Sequence, residues 1–213
     1  MLVSLSWRKD LVQVDDSVDD LPERLSMAGF EVENIDDLSA RSQGVVVGHV
    51  LTRDKHPNAD KLSVCTVDIG AKESVQIVCG AANVRAGIHV PVATVGAVLP
   101  AVDLTIKAGE LRGVASNGMI CSLSELGLTA ESSGIAILED TTKEIPVVGT
   151  PVAALFGLDD AVLELAITAN RPDGLSMVGI AREVAALTNA ELSLPLLNHT
   201  PEQEPLQAEL DGS

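Results

Sequence analysis

The chain has 213 residues, 46% of them apolar, and a formal net charge of −17, which allows one large or two small folded units that need no disulfide staples. No apolar run approaches the roughly 20 residues needed to cross a bilayer, and the first thirty residues mix Ser6, Arg8, Lys9 and Asp10 with apolar positions, unlike a secretory signal, so a soluble cytoplasmic protein is expected. Cys65, Cys79 and Cys121 are odd in number, widely spaced and without a CxxC or a clustered His pair, which argues against a disulfide framework or a zinc site and for buried reduced thiols.

In chain order, Leu2, Val3 and Leu5 open a short strand that ends near Trp7. Asp20 as N-cap, Glu23 three residues on and Pro22 in the first turn predict a helix that Gly29 ends. Phe30 to Ile35 then alternates as a half-buried strand. This strand, helix, strand unit is too small to bury its own core, so it needs a partner segment.

From Gly44 to about Ser122 the pattern becomes short β-rich runs separated by Gly, Pro and Asn, as expected for a small all-β barrel. Five strands are predicted, at Val45–Leu51, Leu62–Asp68, Ser74–Val78, His89–Ala93 and Asn117–Cys121, the number of an OB-fold. Gly48 suits the sharp coiling of a closed barrel. Ser122 and Glu125 form a second capping-box pattern, predicting a short helix stopped by Gly127. Thr150-Pro151 has N-cap and N1 character for another short helix, ended by Gly157.

Leu163, Leu165 and Ile167 alternate as a strand, and Asn170-Arg171-Pro172-Asp173 reads as a turn whose Asp173 caps the next helix and whose Arg171 pairs locally. That helix carries Met177, Ile180, Ala181, Val184 and Leu187 on one stripe, with Arg182 and Glu183 expected as ordinary surface charge. The expected architecture is therefore α+β plus all-β. Residues 1–39 and 151–192 form one small discontinuous α+β domain, residues 40–150 a five-stranded OB-fold barrel inserted into it, and residues 193–213 a linker or the start of a further domain.

The charge is unevenly spread. Residues 40–150 hold nine of the fourteen basic side chains against eleven acidic ones, whereas residues 1–39 have three against ten and residues 151–213 two against ten. A face that meets RNA belongs in the middle. Trp7, Phe30 and Phe156 all lie outside residues 40–150, so the barrel has no ring of that kind on which to stack bases. Backbone and shape recognition of folded RNA, sensitive to salt, is expected instead. No GxxxxGK[ST] or GxGxxG run, no Ser-His-acid or Cys-His arrangement and no metal-ligand spacing stands out.

Three segments carry a resemblance. His56-Pro57-Asn58-Ala59-Asp60-Lys61-Leu62 resembles the HPxADxL signature of the tRNA-binding OB module appended to several aminoacyl-tRNA synthetases. Leu111-Arg112-Gly113-Val114 running into Ser116-Asn117-Gly118-Met119 is similar to the signature near the end of that module. Ile167 to Asp173 with Gly179 to Ala185 looks like the region that follows the module in bacterial phenylalanyl-tRNA synthetase beta subunits. With Ser4-Leu5-Ser6-Trp7 and Ile77 to Gly87, the similarity covers nearly the whole chain. Two positions depart from that family: Gly174 and Ala82, expected to affect backbone stiffness alone.

The resemblance implies the amino-terminal region of one subunit of an α2β2 enzyme that joins phenylalanine to its tRNA using ATP and magnesium. The catalytic fold would lie in the alpha subunit, and the editing domain downstream in beta. This part would contribute tRNA binding, with no catalytic residue, cofactor, metal, membrane or DNA partner of its own. Candidate tRNA contacts are Arg53, Lys55, His56, Asn58, Lys61, Asn83, Arg85, Lys107, Arg112, Ser116 and Asn117. The alternative is a structural and interaction module with little intrinsic tRNA affinity. The HPNADKL segment likewise reads either as a loop that meets RNA or as a turn held by Pro57, Asn58 and Asp60. Ser116 to Met119 either lines the concave face of the barrel or makes a close turn with Met119 in the core.

Overall fold

The computed structural model describes residues 1–6, 10–13 and 20–194. Strand β1 is Leu2–Ser4. It is shorter than expected because the backbone already turns helical at Leu5 and Ser6, while Trp7 lies outside the described residues. Helix α1 is Asp20–Met27 and buries Leu21, Pro22 and Leu25. Asp20 is its first residue rather than its N-cap, and the preceding position lies outside the described residues. Pro22 sits in the first turn, where its missing N–H leaves no bond unmade. Gly29, at φ +92°, reverses the chain, and Phe30 N–H closes the turn on Leu25 O at 2.9 Å. Strand β2, Glu31–Asp37, follows.

The middle of the chain builds β3 (Val45–Lys55), β4 (Ser63–Asp68), β5 (Val75–Cys79), β6 (His89–Ala93), β7 (Val98–Leu99), β8 (Leu104–Thr105), β9 (Gly109–Leu111), β10 (Val114–Ser116) and β11 (Met119–Ile120). Five of these form one antiparallel sheet in the order β11-β6-β3-β4-β5. They are the five strands expected of the OB-fold. Alternation places Ser63, Cys65 and Val67 of β4 inside. The seam between β5 and β11 is nearly closed, since Asn117 N–H donates to Gln76 O at 2.8 Å and Val78 N–H to Ser116 Oγ at 3.1 Å. At Gly48 a Cβ would come within 2.5 Å of Val92 Cγ2, so this glycine answers a close approach of β6 as well as coiling.

Four differences from expectation appear here. Beside the sheet stand two hairpins, β7-β8 and β9-β10, each a separate two-stranded sheet, that the sequence pattern did not reveal. The Ser122 and Glu125 capping bonds form, Glu125 N–H to Ser122 Oγ at 3.3 Å and Ser122 N–H to Glu125 Oε2 at 2.6 Å, yet they close a single turn rather than a helix, because Gly127 enters the left-handed region at φ +68°. Thr150 and Pro151 do not start a helix. They run beside β3, with Val47 N–H on Thr150 O at 2.8 Å and Val152 N–H on Val45 O at 3.2 Å. Val152, Leu155 and Phe156 then pack against the barrel core, so residues 151–156 join the barrel rather than the divided unit.

Strand β12 (Ala161–Ala166) returns to the first unit and lies between β1 and β2, antiparallel to both. Helix α2 is Met177–Thr188. Its N-cap is Ser176, whose hydroxyl accepts from Gly179 N–H at 3.0 Å. Asp173 instead belongs to a 3-10 turn, Pro172–Leu175, that precedes the cap. Ile180, Ala181 and Val184 are buried as the stripe requires, while Leu187 is 37% exposed and falls off it. One core joins both ends of the chain: Val3, Leu21, Leu25 and Phe30 with Leu163, Leu165, Ile180 and Val184. Each such buried side chain contributes about 1.5–3 kcal/mol.

Gly174 is buried, and a Cβ there would lie 2.3 Å from Phe30 Cε1. Its part is packing, not loosened backbone. Arg171 closes the same region. Its guanidinium lies 4.0 Å over the Phe30 ring and donates to Ala28 O at 2.9 Å, Asp173 Oδ2 at 2.9 Å and Glu183 Oε2 at 2.8 Å. The bond with Arg171 holds the Asp173 carboxyl below its ordinary value and raises the guanidinium's own. Glu183 is thus a partner of Arg171 and only half-exposed, not ordinary surface charge.

Candidate nucleic-acid interface

The chemistry of one barrel end begins where β3 outruns the core. Val45 to Val50 is buried or half-buried, but every residue from Leu51 to Lys55 is exposed. A bulge between Val50 and Thr52 marks the change. Arg53 and Lys55 ride on this projecting strand. At its tip His56 is only 2% exposed. Its Nδ1 accepts from Asn58 N–H at 3.1 Å, so Nε2 carries the proton and donates to Leu111 O at 3.0 Å. Asn58 Nδ2 donates to Arg112 O at 2.9 Å. These bonds fasten the HPNADKL turn to the β9-β10 hairpin. His56 and Asn58 therefore position the site, and both ring nitrogens of His56 are engaged by the protein.

The hairpin turn consists of Arg112 and Gly113, at φ +54° and +83°, the signs of a type I′ turn, which matches the twist of paired strands. Gly enters that region freely. Arg112 does so at a cost of roughly 1–3 kcal/mol, so a cation is kept where Asn or Gly would be easier. Lys61 lies in the fastened turn. Arg53, Lys61, Arg85, Lys107 and Arg112 are exposed, and none has a carboxylate partner among the described residues. Lys55 does pair with Asp60 at 3.0 Å, but both are largely exposed, and such pairs add little.

The remaining candidates are spread along the same barrel. The loop bearing Arg85 is tied to β3 through Gly87 N–H on Val50 O at 2.8 Å. Asn83 spends its amide on Ile135, giving Nδ2 to its carbonyl at 2.9 Å and taking its N–H at 3.1 Å. Ser116 is 6% exposed and closes the seam between β5 and β10. Asn117 is exposed beside it, and Met119 packs partly buried against the core. Lys107 borders an open groove of about 850 Å³ formed by residues 78–81, 104–107, 109–111, 116, 118–120, 122, 124, 125 and 132–135.

Elsewhere on the barrel, sequence reasoning missed a stacked pair. The His49 and His89 rings lie 4.6 Å apart, and Glu139 accepts from His89 Nδ1 at 2.7 Å and His89 N–H at 2.9 Å. Partial burial alone would raise the Glu139 carboxyl, but those bonds outweigh it and hold it below its ordinary value. The signal was present, because His49 and His89 occupy facing positions of β3 and β6. The three cysteines are buried as expected. Burial pushes the Cys65 thiol up to about 11 and the Cys121 thiol to about 12, leaving both protonated near neutrality. Among the described residues no three His, Cys, Asp or Glu side chains gather where they could hold a metal ion, and no helix is long and apolar enough to cross a membrane.

Comparison with known proteins bears on this barrel directly. Residues 45–146 match the family described as "Putative tRNA binding domain". Over 213 residues the chain is 99% identical to the phenylalanine-tRNA ligase beta subunit of Synechococcus sp. (strain CC9902), covering 100% of the chain and 26% of that relative. It is 74% identical over 212 residues to the same subunit of Synechococcus sp. (strain CC9605), again covering 26% of the relative. A solved structure, the MetRS related protein from Pyrococcus horikoshii, covers 51% of the chain and 87% of its own at 23% identity and a TM-score of 0.36. The chain spans about a quarter of the length of the curated relatives it matches. From its first residue to its last, the chain is similar to phenylalanine-tRNA ligase beta subunits, and its residues 45–146 are similar to that tRNA-binding family.

Proposed function

We propose that this chain is the amino-terminal tRNA-contacting region of a phenylalanine-tRNA ligase beta subunit, acting by positioning the RNA rather than by making or breaking bonds. One observation carries the reading. His56 and Asn58 fasten two separate signature segments together, so Arg53, Lys61 and Arg112 share one end of the barrel without carboxylate partners among the described residues. Cations left unpaired on a protein of net charge −17 are available to phosphates, whose condensed counterions they release on binding. The nearly neutral barrel faces the polyanion, while the acidic unit is repelled and kept clear of it.

Binding by this means is weak and steeply dependent on salt, so the module acts within the full enzyme by raising the effective concentration of tRNA near the other domains. The full enzyme in this proposal is an α2β2 assembly in the cytoplasm that uses phenylalanine, ATP and magnesium. In this reading ATP and magnesium are held by the other parts of the enzyme. Titrating tRNA with the purified chain at 50, 100 and 200 mM salt (all about) and following fluorescence anisotropy tests the reading. Lys61→Ala, Lys107→Ala and Arg112→Ala are each expected to weaken binding and to reduce the salt slope by about 1. No saturable binding at the lowest salt would overturn it, and would favour a docking module whose acidic faces meet other domains.

A further inference from the structure

The groove beside Lys107 has a chemistry unlike that of the cationic end. Its charged borders are Lys107, Glu110 and Glu125, one cation against two anions, so it does not attract phosphate. Leu104 and Leu111 on its border keep 41% and 47% of their surface exposed, an apolar lining that favours a flat, weakly polar ligand. No Phe, Trp or Tyr is among its residues.

Of the two carboxylates on its border, Glu125 is the one that hydrogen bonds hold in place. Its Oε2 accepts from Ser122 N–H at 2.6 Å and from Ser122 Oγ at 2.7 Å, the back-reach of a capping box. Those bonds fix the carboxylate, and its second oxygen, Oε1, has no hydrogen-bond partner among the described residues. A fixed anionic acceptor beside apolar walls calls for a donor. In a nucleic acid the donors that pair with carboxylates at a base edge are amino groups, as in the pairing of Glu or Asp with the cytosine N4 amine.

The groove is also placed next to the phosphate contacts. One of its borders, Gly109 to Leu111, is the strand that leads into Arg112, and Leu62, next to Lys61, reaches toward Gly80 on another border, with its Cδ2 3.4 Å from where a Cβ on Gly80 would sit. The groove thus borders both segments that carry these cations.

We infer that this groove takes one unstacked nucleobase bearing an exocyclic amino group, whose N–H is donated to Glu125 Oε1 while the neighbouring phosphates lie on Lys107 and Arg112. This rests on the tRNA-binding reading and deepens it. Uracil is disfavoured because its only ring N–H lies between two carbonyl oxygens that would face the carboxylate.

The test uses the whole chain and labelled 12-nucleotide RNAs (about that length), oligo(C) and oligo(U), at low salt and neutral pH. Oligo(C) is expected to bind about tenfold more tightly, the value of one charge-assisted hydrogen bond. Glu125→Gln keeps the capping acceptor through its amide oxygen but turns the free oxygen into an NH2 donor. It is expected to reverse the preference toward oligo(U), whose O4 accepts, with the salt slope for tRNA unchanged. Equal affinity of the two oligonucleotides for the unmodified chain would overturn the groove assignment, as would a Glu125→Gln loss shared equally by both. Either result leaves tRNA binding standing, whereas failure to bind tRNA itself overturns the reading beneath it.

Discussion

Arg171 of the divided α+β unit and the cations at the barrel end are used in opposite ways. Arg171 is fully committed to Asp173, Glu183, the Ala28 carbonyl and the Phe30 ring, and it joins chain segments far apart in sequence. In the barrel, Arg53, Lys61, Lys107 and Arg112 hold no carboxylate, although Glu110 and Asp54 are close in sequence. The difference teaches where to look for a binding face in an acidic protein. Net charge says little, while the list of cations that the fold leaves unpaired says much.

The largest expected effect tests whether the divided unit is one body. Phe30→Ala removes the largest fully buried side chain of its core and is expected to cost about 3–5 kcal/mol. Hydrogen exchange should then quicken in β1 and α2 together, at opposite ends of the sequence, with the barrel much less affected. Loss of protection confined to α1 and β2 would break the comparison. A smaller effect probes the barrel end. His56→Ala leaves Leu111 O and Asn58 N–H without their partner, at about 1–3 kcal/mol. It should lower tRNA affinity without removing a cation, which a salt slope equal to that of the parent chain would verify.

The smallest effect concerns acid. Asp160 accepts from Ser4 Oγ at 2.5 Å, Ser6 N–H at 2.8 Å and Ser6 Oγ at 2.8 Å. Partial burial would raise its carboxyl, but these bonds outweigh it and hold it below its ordinary value. A depressed carboxyl stabilises the fold above the unfolded-state value of about 3.9, and that contribution fades as pH falls through the folded-state value. Urea midpoints of the parent chain and of Asp160→Asn should therefore differ at pH about 6, and the gap should narrow as pH falls below about 3.9. A constant gap over that range would show that Asp160 acts through shape alone.

Elements with a long internal rhythm were legible in the sequence. Strands β4 and β12 alternate, and α2 carries a stripe, because each buries one face along its length. The β7-β8 and β9-β10 hairpins have strands of two or three residues, mostly exposed, so no alternation can announce them. The β9-β10 hairpin is tied down by a distant bond, Gln76 Nε2 on Ala115 O at 2.8 Å. The misread cap has a similar cause. Asp173 and Ser176 are both good caps three residues apart, and only the intervening 3-10 turn selects Ser176. In the candidate site, the cations could be read from the charge distribution. The burial of His56 could not, since its partner at Leu111 belongs to one of the unforeseen hairpins.

Where the barrel leaves the first unit, Asp37 of β2 stands opposite Ala161 of β12, and Leu38 N–H donates to Asp160 O at 3.0 Å. The exit and the return are thus neighbours on one antiparallel ladder, and the entire barrel occupies the place of a hairpin loop. Lengthening such a loop raises its closure cost only logarithmically, so a whole domain can be housed there at little thermodynamic penalty to its host. The same geometry makes the module detachable in principle, since a tight turn from Asp37 to Ala161 would reseal the host sheet without any strand changing its neighbour.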